Sequence, residues 1–396
     1  MPIPTPFHTR TSALCTSLFY KDWAGYHAVR SYDICHEREY FALRQAAGMI
    51  DVTPLYKYEV RGRGAGDFLA RLMVRDVRKL KPGQVAYLCW CNDDGHVIDD
   101  GTVARLDETH FRVTSTEPNL HWFARHARGY DVAVEDSTTQ LAALSVQGPR
   151  ARAIVSDATG GETEKLRFFR LKPARIDGMD VIVSRTGYTG DLGYEIWVAS
   201  EEAGRLWDAV AAAGRPHGLE PAGLDAMDVT RIEAGFILNG VDYFSALHAM
   251  IPPRKSSPFE LALGWAVHLD REPFIGSAAL AREKREGSRR AFVGLEIDWD
   301  ETEALFREHG LPPEVASAPW RDGRPVYDKD RRFVGQATSG AWSPLLKKNL
   351  ALATIKIEEA TPGNRLRFEV TVEYERRTVT ATVAQKPFYD PPWKRK

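Results

Sequence analysis

The strongest constraint on the fold is a turn signal between two segments with strand character. Residues 84–91 and 96–105 carry many β-branched, aromatic and other apolar residues, and Asn-Asp-Asp-Gly at 92–95 separates them. A short run of turn residues between two such segments predicts a β-hairpin. Further hairpin signals interrupt the alternation of strands and helices along the chain. The sequence therefore predicts an α+β fold with antiparallel sheets rather than a doubly wound parallel sheet.

Hydrophobic periodicity and turn residues place the other elements of the first 285 residues. Residues 1–35, rich in proline and aromatic side chains, are expected to form an irregular arm. Helices are predicted at 36–48, 67–73, 120–128, 201–213 and 224–234. Further strands are predicted at 55–61, 110–114, 141–146, 181–185 and 193–198.

The pattern changes near residue 290, where short strands begin to dominate. Strands are predicted at 291–297, 332–339, 350–357, 365–374 and 377–383. Turns rich in glycine and proline at 322–325 and 361–363 separate them. Such spacing is typical of a small β-barrel or sandwich. The basic segment 282–290 before it is interpreted as a solvated linker helix.

Length and charge bound the number of domains and the kinds of partner. A chain of 396 residues is expected to form two or three domains. Its formal net charge of −1 supplies no field that would attract nucleic acid or an anionic membrane. Residues 1–6 lack the basic segment and apolar run of a signal peptide, and no apolar stretch approaches a bilayer span. We therefore expect a cytoplasmic protein with no nucleic-acid partner and no membrane partner.

The four cysteines are too few and too scattered for a disulfide scaffold. They are Cys15, Cys35, Cys89 and Cys91. Cys89 and Cys91 would share one face of a strand, as free thiols in a reduced interior.

The sequence offers no strong nucleophile and no metal site of its own. The Gly-x-Gly-x-Gly at 62–66 does not have dinucleotide-loop spacing and is interpreted as a tight strand-to-helix turn. There is no Walker loop and no nucleophile elbow. His121 and His126 are five residues apart, which is the wrong spacing for one helical face, and no cysteine pair lies near them. If the chain is an enzyme, a bound organic cofactor is expected to carry the reactive centre.

An ordered series of short motifs runs along the chain. The longest, at 185–196, begins Arg-Thr-Gly-Tyr-Thr-Gly and ends Gly-Tyr-Glu-Ile. The other segments lie at 22–26, 43–52, 76–84, 95–100, 146–149, 231–235, 263–267 and 338–344. Each segment alone is weak, but the series in this order is specific, and it resembles the folate-dependent glycine-cleavage T-protein family, the aminomethyltransferases.

The resemblance implies both an architecture and a cofactor. The family's fold is a three-domain cloverleaf with tetrahydrofolate in its central opening. Applied to this chain, it implies two intertwined α+β domains within 1–285, the second at about 140–225, and a β-barrel at 286–396.

The resemblance assigns the acid beside the N5/N10 edge of the folate to Asp99. Asp99 and Asp100 are adjacent, and successive side chains of a strand point to opposite faces. Only one of them can therefore enter a pocket. A carboxylate there would hydrogen-bond the folate edge and favour positive charge developing on it.

Further cofactor contacts follow from the same resemblance. Glu195 would anchor the pterin, because a carboxylate can accept several N–H donors in a row; the alternative is an ion pair with Arg185. Tyr188 would pack against the folate, and Tyr87 would either stack on it or belong to the core.

The cofactor set is completed by Leu55, Trp265 and Arg231. Arg231 would steer the folate carboxylates or brace the site. The alternative is a structural ion pair with Glu233 or Asp228.

Several departures from the T-protein pattern fall on the donor side of the site. The family's Ser-His-Met is replaced by Thr-Pro-Leu at 53–55, an arginine by Met227, and a smaller aromatic residue by Trp342. A longer, aromatic-rich segment occupies 242–260, where Arg254, Lys255 or His248 could meet a carboxylate. The alternative is that this segment is only a surface loop.

These departures favour a tetrahydrofolate-dependent demethylase as the first functional hypothesis. It would move a methyl group from a small methoxyaromatic donor to folate N5, giving 5-methyltetrahydrofolate. A proton donor near the leaving atom would assist, with Tyr26, Tyr32, His248 and Tyr243 as candidates.

Two alternatives remain open from the sequence. One is an aminomethyltransferase of glycine cleavage, which needs a lipoyl carrier protein and yields 5,10-methylenetetrahydrofolate. The other is a non-enzymatic folate-binding relative, which the absence of a Lys-Gly-Cys-Tyr-type motif disfavours.

Overall fold

The computed structural model describes residues 1–395. Its α-helices are α1 His8–Leu14, α2 Glu37–Gln45, α3 Ala65–Leu72, α4 Leu120–His126, α5 Ala151–Ala158, α6 Ala203–Gly214, α7 Leu224–Glu233, α8 Ser277–Glu286 and α9 Trp299–Glu308. Its strands are β1 Ile3–Pro4, β2 Phe19–Trp23, β3 Tyr26–Ser31, β4 Ala47–Asp51, β5 Tyr56–Arg61, β6 Gln84–Cys91, β7 Val97–Arg105, β8 His110–Ser115, β9 Ala133–Asp136, β10 Leu141–Gln147, β11 Leu171–Ile176, β12 Met179–Ser184, β13 Gly193–Ala199, β14 Leu219–Pro221, β15 Arg290–Ile297, β16 Arg324–Tyr327, β17 Phe333–Ser343, β18 Lys348–Lys356, β19 Arg365–Val372 and β20 Glu375–Ala384.

Three larger sheets and one small sheet organise these strands. A five-stranded sheet has the order β6-β7-β8-β5-β9, and a six-stranded sheet has the order β11-β12-β13-β10-β4-β14. A three-stranded sheet, β1-β3-β2, lies in the N-terminal segment. Every strand pair of the two larger open sheets is antiparallel except β14 with β4. The predicted α+β class with antiparallel sheets is confirmed.

The C-terminal region is a closed six-stranded barrel in the order β15-β18-β17-β16-β19-β20, as predicted. Its interior is a separate apolar cluster that includes Leu295, Val326 and Phe368. The sequence patterns missed α9 and the four-residue β16. The basic segment contains the end of α8, and its last residue, Arg290, already begins the first barrel strand.

Two predictions for the N-terminal region were wrong. Residues 1–35 are not an irregular arm, since they form α1 and the three strands of the small sheet. The predicted helix 36–48 ends at Gln45, and Gly48 lies in β4 instead of capping the helix. A Cβ atom on Gly48 would stand 2.5 Å from Leu43 Cδ2, so this glycine allows β4 to pack closely against α2.

Helix α7 carries a buried ion network that links α2, the turn before β13 and the C-terminal barrel. Glu233 accepts hydrogen bonds from Tyr40 at 2.6 Å, from Arg44 at 2.9 and 2.6 Å, and from Ser343 of the barrel at 2.5 Å. Arg44 is also bonded to the carbonyl of Thr189 at 2.9 Å. All of these charged groups are removed from solvent, so each depends on its partners.

A second cluster on the same helix is centred on Arg231. Its guanidinium donates to Asp228 and to Asp242, both at 2.6 Å. Asp242 in turn accepts hydrogen bonds from Thr338 at 2.5 Å and Ser339 at 2.9 Å in β17. The loop after α7 is thereby tied both to the helix and to the barrel.

The segment after the last barrel strand returns to this helix. The backbone amides of Phe388 and Tyr389 donate to the carbonyl of Glu233 at 2.8 and 3.1 Å. The Tyr389 hydroxyl and the Trp393 indole donate to Asp191 at 3.1 and 2.9 Å. Residues 388–393, the C-terminal strap, therefore connect the end of α7 to the turn between β12 and β13.

Arg44→Met is expected to lower the free energy of unfolding by about 3–5 kcal/mol, because it leaves the Glu233 carboxylate buried without its cation. The effect should appear as a clear fall in the unfolding midpoint by calorimetry. The control is Arg38→Met, which removes an ion pair between an arginine side chain that is 71% exposed and Glu220. Equal midpoints for the two variants would contradict the central role of the network.

Candidate active site

A β-bulge in the hairpin β6–β7 decides which of two adjacent aspartates faces the other large sheet. Cys91 pairs with Val97, but Trp90 pairs with Asp99, so the register shifts by one residue and Ile98 is the extra residue. Beyond the bulge, Cys89 pairs with Asp100. Residues directly opposite in an antiparallel pair share a face.

Asp99 therefore lies on the inner face of the five-stranded sheet, with Trp90. Its carboxylate is fully buried, and protein donors surround it. They are the backbone amides of Asp100, Thr116 and Glu117 at 2.9–3.1 Å, the hydroxyl of Thr116 at 2.5 Å, and the side-chain amides of Asn119 and Asn239 at 3.0 Å. This carboxylate organises the loop after β8 and has little acceptor capacity left for a ligand.

Asp100 lies on the opposite face, with Tyr87 and Cys89. Tyr87 donates its phenol proton to Oδ2 at 2.6 Å, and Tyr243 donates to Oδ1. Burial and the nearby charge of Asp99 raise the pKa of Asp100 to about 7. A buried carboxyl group with a pKa near neutrality is typical of a proton-transfer site.

Glu195 lies in a narrow cleft where the same face of the five-stranded sheet meets the six-stranded sheet. The cleft is lined by Thr102 and Thr114 on one side and by Ser184, Glu195 and Trp197 on the other. Thr102 pairs with Tyr87 and is two residues after Asp100, so Asp100 and the cleft share one surface.

The Glu195 carboxylate has an incomplete set of protein partners. Thr186 donates to Oε2 at 2.7 Å, and within residues 1–395 no lysine or arginine forms an ion pair with Glu195. Burial raises the pKa of Glu195. The alternative partner Arg185 instead donates to the carbonyls of Leu166 and Lys394. Glu195 therefore has acceptor capacity for a ligand in the cleft.

Three predicted contact residues, Tyr87, Tyr188 and Trp265, lie close to Asp100 or to one another. Tyr188 stacks on Phe236 with ring centroids 5.7 Å apart, and its hydroxyl donates to the carbonyl of Ile237. Trp265 stacks on Tyr87 at 6.4 Å and is 60% exposed, so it lies at the rim.

Leu55 is half-buried in the turn before β5, and a buried lysine fixes this turn. The Lys57 ammonium donates to the carbonyls of Thr53 and Leu55 at 2.6 and 2.8 Å. Burial lowers the pKa of Lys57 to about 7.

None of the other predicted residues has a described contact with Asp100. Arg231 is fully buried in an ion cluster with Asp228 and Asp242, and these described contacts are structural. Tyr26 is buried on β3, and Tyr32 packs in the core of the six-stranded sheet. His248 is mostly exposed and pairs with Glu117 at 3.2 Å. The backbone amide of Glu117 donates to Asp99, not to Asp100.

Two structural searches concern other kinds of site. Among residues 1–395, no cluster of three or more histidine, cysteine, aspartate or glutamate residues could hold a metal ion. Over the same residues, none of the helices combines the length and the apolar character that crossing a bilayer requires.

Comparison with known proteins covers both regions of the chain. The family model described as GCVT N-terminal domain matches residues 7–271, and the glycine cleavage T-protein C-terminal barrel domain matches residues 290–390. The chain is 35% identical over 359 residues to an aminomethyltransferase of Geobacillus kaustophilus (strain HTA426), covering 89% of this chain and 90% of that protein. An aminomethyltransferase of Bacillus subtilis (strain 168) is 35% identical with the same coverage.

The fold is also found in a solved structure, that of glycine cleavage system aminomethyltransferase T from Bartonella henselae. The TM-score is 0.84 at 24% identity, covering 98% of this chain and 99% of that one. Fold, matched domains and relatives together define the class: an enzyme that transfers one-carbon groups and depends on tetrahydrofolate. The chain belongs to the glycine-cleavage T-protein family.

The demethylase hypothesis was wrong. Relatives 33–35% identical over about nine-tenths of the chain are aminomethyltransferases, which favours the alternative reading over transfer from a methoxyaromatic donor. The residues that suggested such a donor do not enclose one. Arg254 lies over the ring of Phe244 at 4.8 Å, and Met250 is 92% exposed. Within segment 242–260, residues 247–254 are largely exposed, whereas Asp242 and Tyr243 are buried.

Asp100 is the residue that sequence reasoning passed over. The resemblance alone assigned the acid to Asp99. The observed pairing of Cys89 with Asp100 places Asp100, and not Asp99, on the face of Tyr87. Asn119 and Asn239, which bind Asp99, carry no sequence signal that marks them.

The two aspartates should respond oppositely to removal of their charge. Asp99→Asn is expected to lower the unfolding midpoint, because an amide group would face five or more donors. Asp100→Asn should raise the midpoint at pH 8 relative to the parent protein. The folded-state pKa of Asp100 lies above its unfolded value, so the stability it contributes is complete below about pH 4 and is lost as the pH rises through about 7.

Calorimetry at pH 5 and pH 8 measures both effects. The advantage of Asp100→Asn over the parent protein should be larger at pH 8 than at pH 5. If Asp99→Asn shows that pattern and Asp100→Asn does not, the assignment of the two faces is wrong.

Proposed function

We propose that the chain is the aminomethyltransferase of a glycine cleavage system. It would take the aminomethyl group from the lipoyl arm of a carrier protein and deliver its carbon to tetrahydrofolate, giving 5,10-methylenetetrahydrofolate. Because the carbon ends bonded to two nitrogens, the donor nitrogen must leave as ammonia and the lipoyl sulfur must regain a thiol. The support is the identity of about one-third to named aminomethyltransferases over nearly the whole chain.

The observation that carries the chemistry is the Asp100 carboxyl group between two phenols. Tetrahydrofolate supplies, when bound, the two nitrogens that receive the carbon. The two oxygens of Asp100 accept hydrogen bonds from Tyr87 and Tyr243, and the carboxylate can take up a proton from a nitrogen in the site and return it. Its low-dielectric surroundings strengthen any charge interaction that it makes there. In this proposal Asp100 takes the role that the resemblance gave to Asp99, and Asp99 positions the loop beside it.

The hydrogen-bonding chemistry of Glu195 matches that of a pterin. Glu195 offers a carboxylate with spare acceptor capacity, and a pterin presents an amino group and a ring N–H side by side. Tyr87 and Tyr188 offer aromatic surface, Trp265 offers an exposed ring stacked on Tyr87, and Leu55 is a half-buried apolar side chain in the turn before β5. We propose that these five residues hold tetrahydrofolate.

The remaining predicted residues receive indirect roles. Arg231 braces the loop that follows α7. His248, exposed beside Glu117 at the donor side, is proposed to meet the carrier protein or its lipoyl arm. The candidate proton donors Tyr26 and Tyr32 are assigned no part in the transfer, because both are buried and none of their described contacts is with Asp100.

The decisive assay supplies purified protein with tetrahydrofolate and an aminomethylated lipoyl carrier protein. We expect one ammonia and one 5,10-methylenetetrahydrofolate per aminomethyl group consumed. Asp100→Asn should reduce the rate by about 100-fold or more, the usual contribution of a positioned acid–base group. Absence of ammonia release by the parent protein would refute the proposed function.

Glu195→Gln should weaken tetrahydrofolate binding by about 10- to 100-fold, because a charge-assisted pair of hydrogen bonds is replaced by one neutral acceptor. Calorimetric titration of the ligand measures the effect. Glu201→Gln, on the exposed turn before α6, is the matched control and should bind normally. Equal affinity for both variants would remove Glu195 from the pterin site.

A further inference from the structure

Tyr243 is the least exposed residue of segment 242–260. It is 1% exposed, and its hydroxyl lies against both aspartates. The hydroxyl donates to Asp100 Oδ1, while Asp99 Oδ1 lies farther away at 3.4 Å. One phenol proton cannot serve both acceptors fully, and the shorter contact is the one to Asp100.

The loop that carries Tyr243 is held from both ends. The amide of Gly240 donates to the carbonyl of Tyr243 at 2.8 Å, and Gly240 has a φ of +77°, which glycine adopts without strain. Next to Tyr243, the Asp242 side chain is fixed by Arg231 and by the barrel hydroxyls of Thr338 and Ser339. The phenol is therefore placed by the framework and not by its contact with Asp100 alone.

The groups around Asp100 determine what this contact does. Asp99 lies beside it on β7, Tyr87 and Cys89 face it from β6, Tyr188 approaches from the turn before β13, and Tyr243 approaches from the loop after α7. Among residues 1–395, no lysine, arginine or histidine forms an ion pair with Asp100. Burial and the repulsion from Asp99 raise the pKa of Asp100, and the described groups that lower it are hydrogen-bond donors.

We propose that Tyr243 is a positioning residue that sets the protonation state of Asp100 by occupying Oδ1 with a donated proton, while Tyr87 occupies Oδ2. A carboxyl proton on either oxygen would face a phenol hydrogen, so the two contacts together favour the carboxylate form. Removal of the Tyr243 hydroxyl frees Oδ1 for a proton. This inference rests on the proposed function only where it concerns the rate of transfer, because the contact itself exists without a ligand.

The first test reads Asp100 directly in the ligand-free enzyme. Protein labelled with carbon-13 at the aspartate carboxyl carbons is titrated by NMR, and the Asp100 signal is assigned by its loss in Asp100→Asn. Tyr243→Phe should move the Asp100 titration midpoint upward by about one pH unit, the size of one charge-assisted hydrogen bond. Tyr243→Leu, a second variant without a hydroxyl, should move it in the same direction.

The matched control is Tyr327→Phe, which also removes a phenol–carboxylate hydrogen bond, at 2.9 Å to Glu369 on the barrel. This variant should leave the Asp100 midpoint unchanged. An unchanged midpoint in Tyr243→Phe and Tyr243→Leu, with both variants folded by calorimetry, overturns the proposal.

The second test separates this inference from the proposed function. In the aminomethyl-transfer assay, Tyr243→Phe should shift the acid limb of the kcat profile upward by about one pH unit, with the KM for tetrahydrofolate unchanged. A uniform loss of rate at every pH would indicate a merely structural residue and would contradict the proposal. If the NMR midpoint moves and the acid limb does not, Tyr243 still controls Asp100, and it is the proposed role of Asp100 in transfer that fails.

Discussion

The buried ion network of α7 is the interaction on which the rest of the structure depends. Glu233 and Arg231 lie on one helix, and between them they bond α2, the loop after the helix, the barrel and the C-terminal strap. A buried charge is tolerated only when its partners are in place, so this helix fixes the relative positions of three separately packed cores. The cleft between the two large sheets inherits its shape from that arrangement, because both sheets pack against elements that the network holds.

The site combines two carboxylates with opposite environments. Asp99 is saturated with donors and organises the protein around it, whereas the described side-chain donors to Asp100 are two phenols, on the strand face that it shares with Thr102 of the cleft. Adjacent residues acquire these different roles because a strand alternates its faces, and the charge of one raises the proton affinity of the other. A single acidic pair thus supplies both a structural anchor and a group suited to proton exchange.

The sequence was sufficient for the fold class, the barrel and most elements with strong periodicity. Strand β6 was predicted with its observed ends, and α7 was predicted to within one residue. The N-terminal sheet was missed because the prolines of residues 1–6 suggested an irregular arm, although β2 and β3 contain aromatic residues and valine that favour strands. For the site, the resemblance assigned the acid to Asp99, whereas the β-bulge, which carries no sequence signal, places Asp100 on the face of Tyr87. The departures near 242–260 were overinterpreted as evidence for a methoxyaromatic donor, because relatives that share one-third identity over nearly the whole chain are aminomethyltransferases.

The C-terminal strap has a consequence for the order of biosynthesis. Residues 388–393 supply hydrogen bonds to Glu233 and Asp191, which are translated much earlier. The nascent chain can fold its two large sheets while the barrel is still being made, but the carbonyl of Glu233 and the carboxylate of Asp191 lack these partners until the strap emerges. The contacts of the strap with Glu233 and Asp191 therefore form later than the pairing of the strands in the two large sheets can begin.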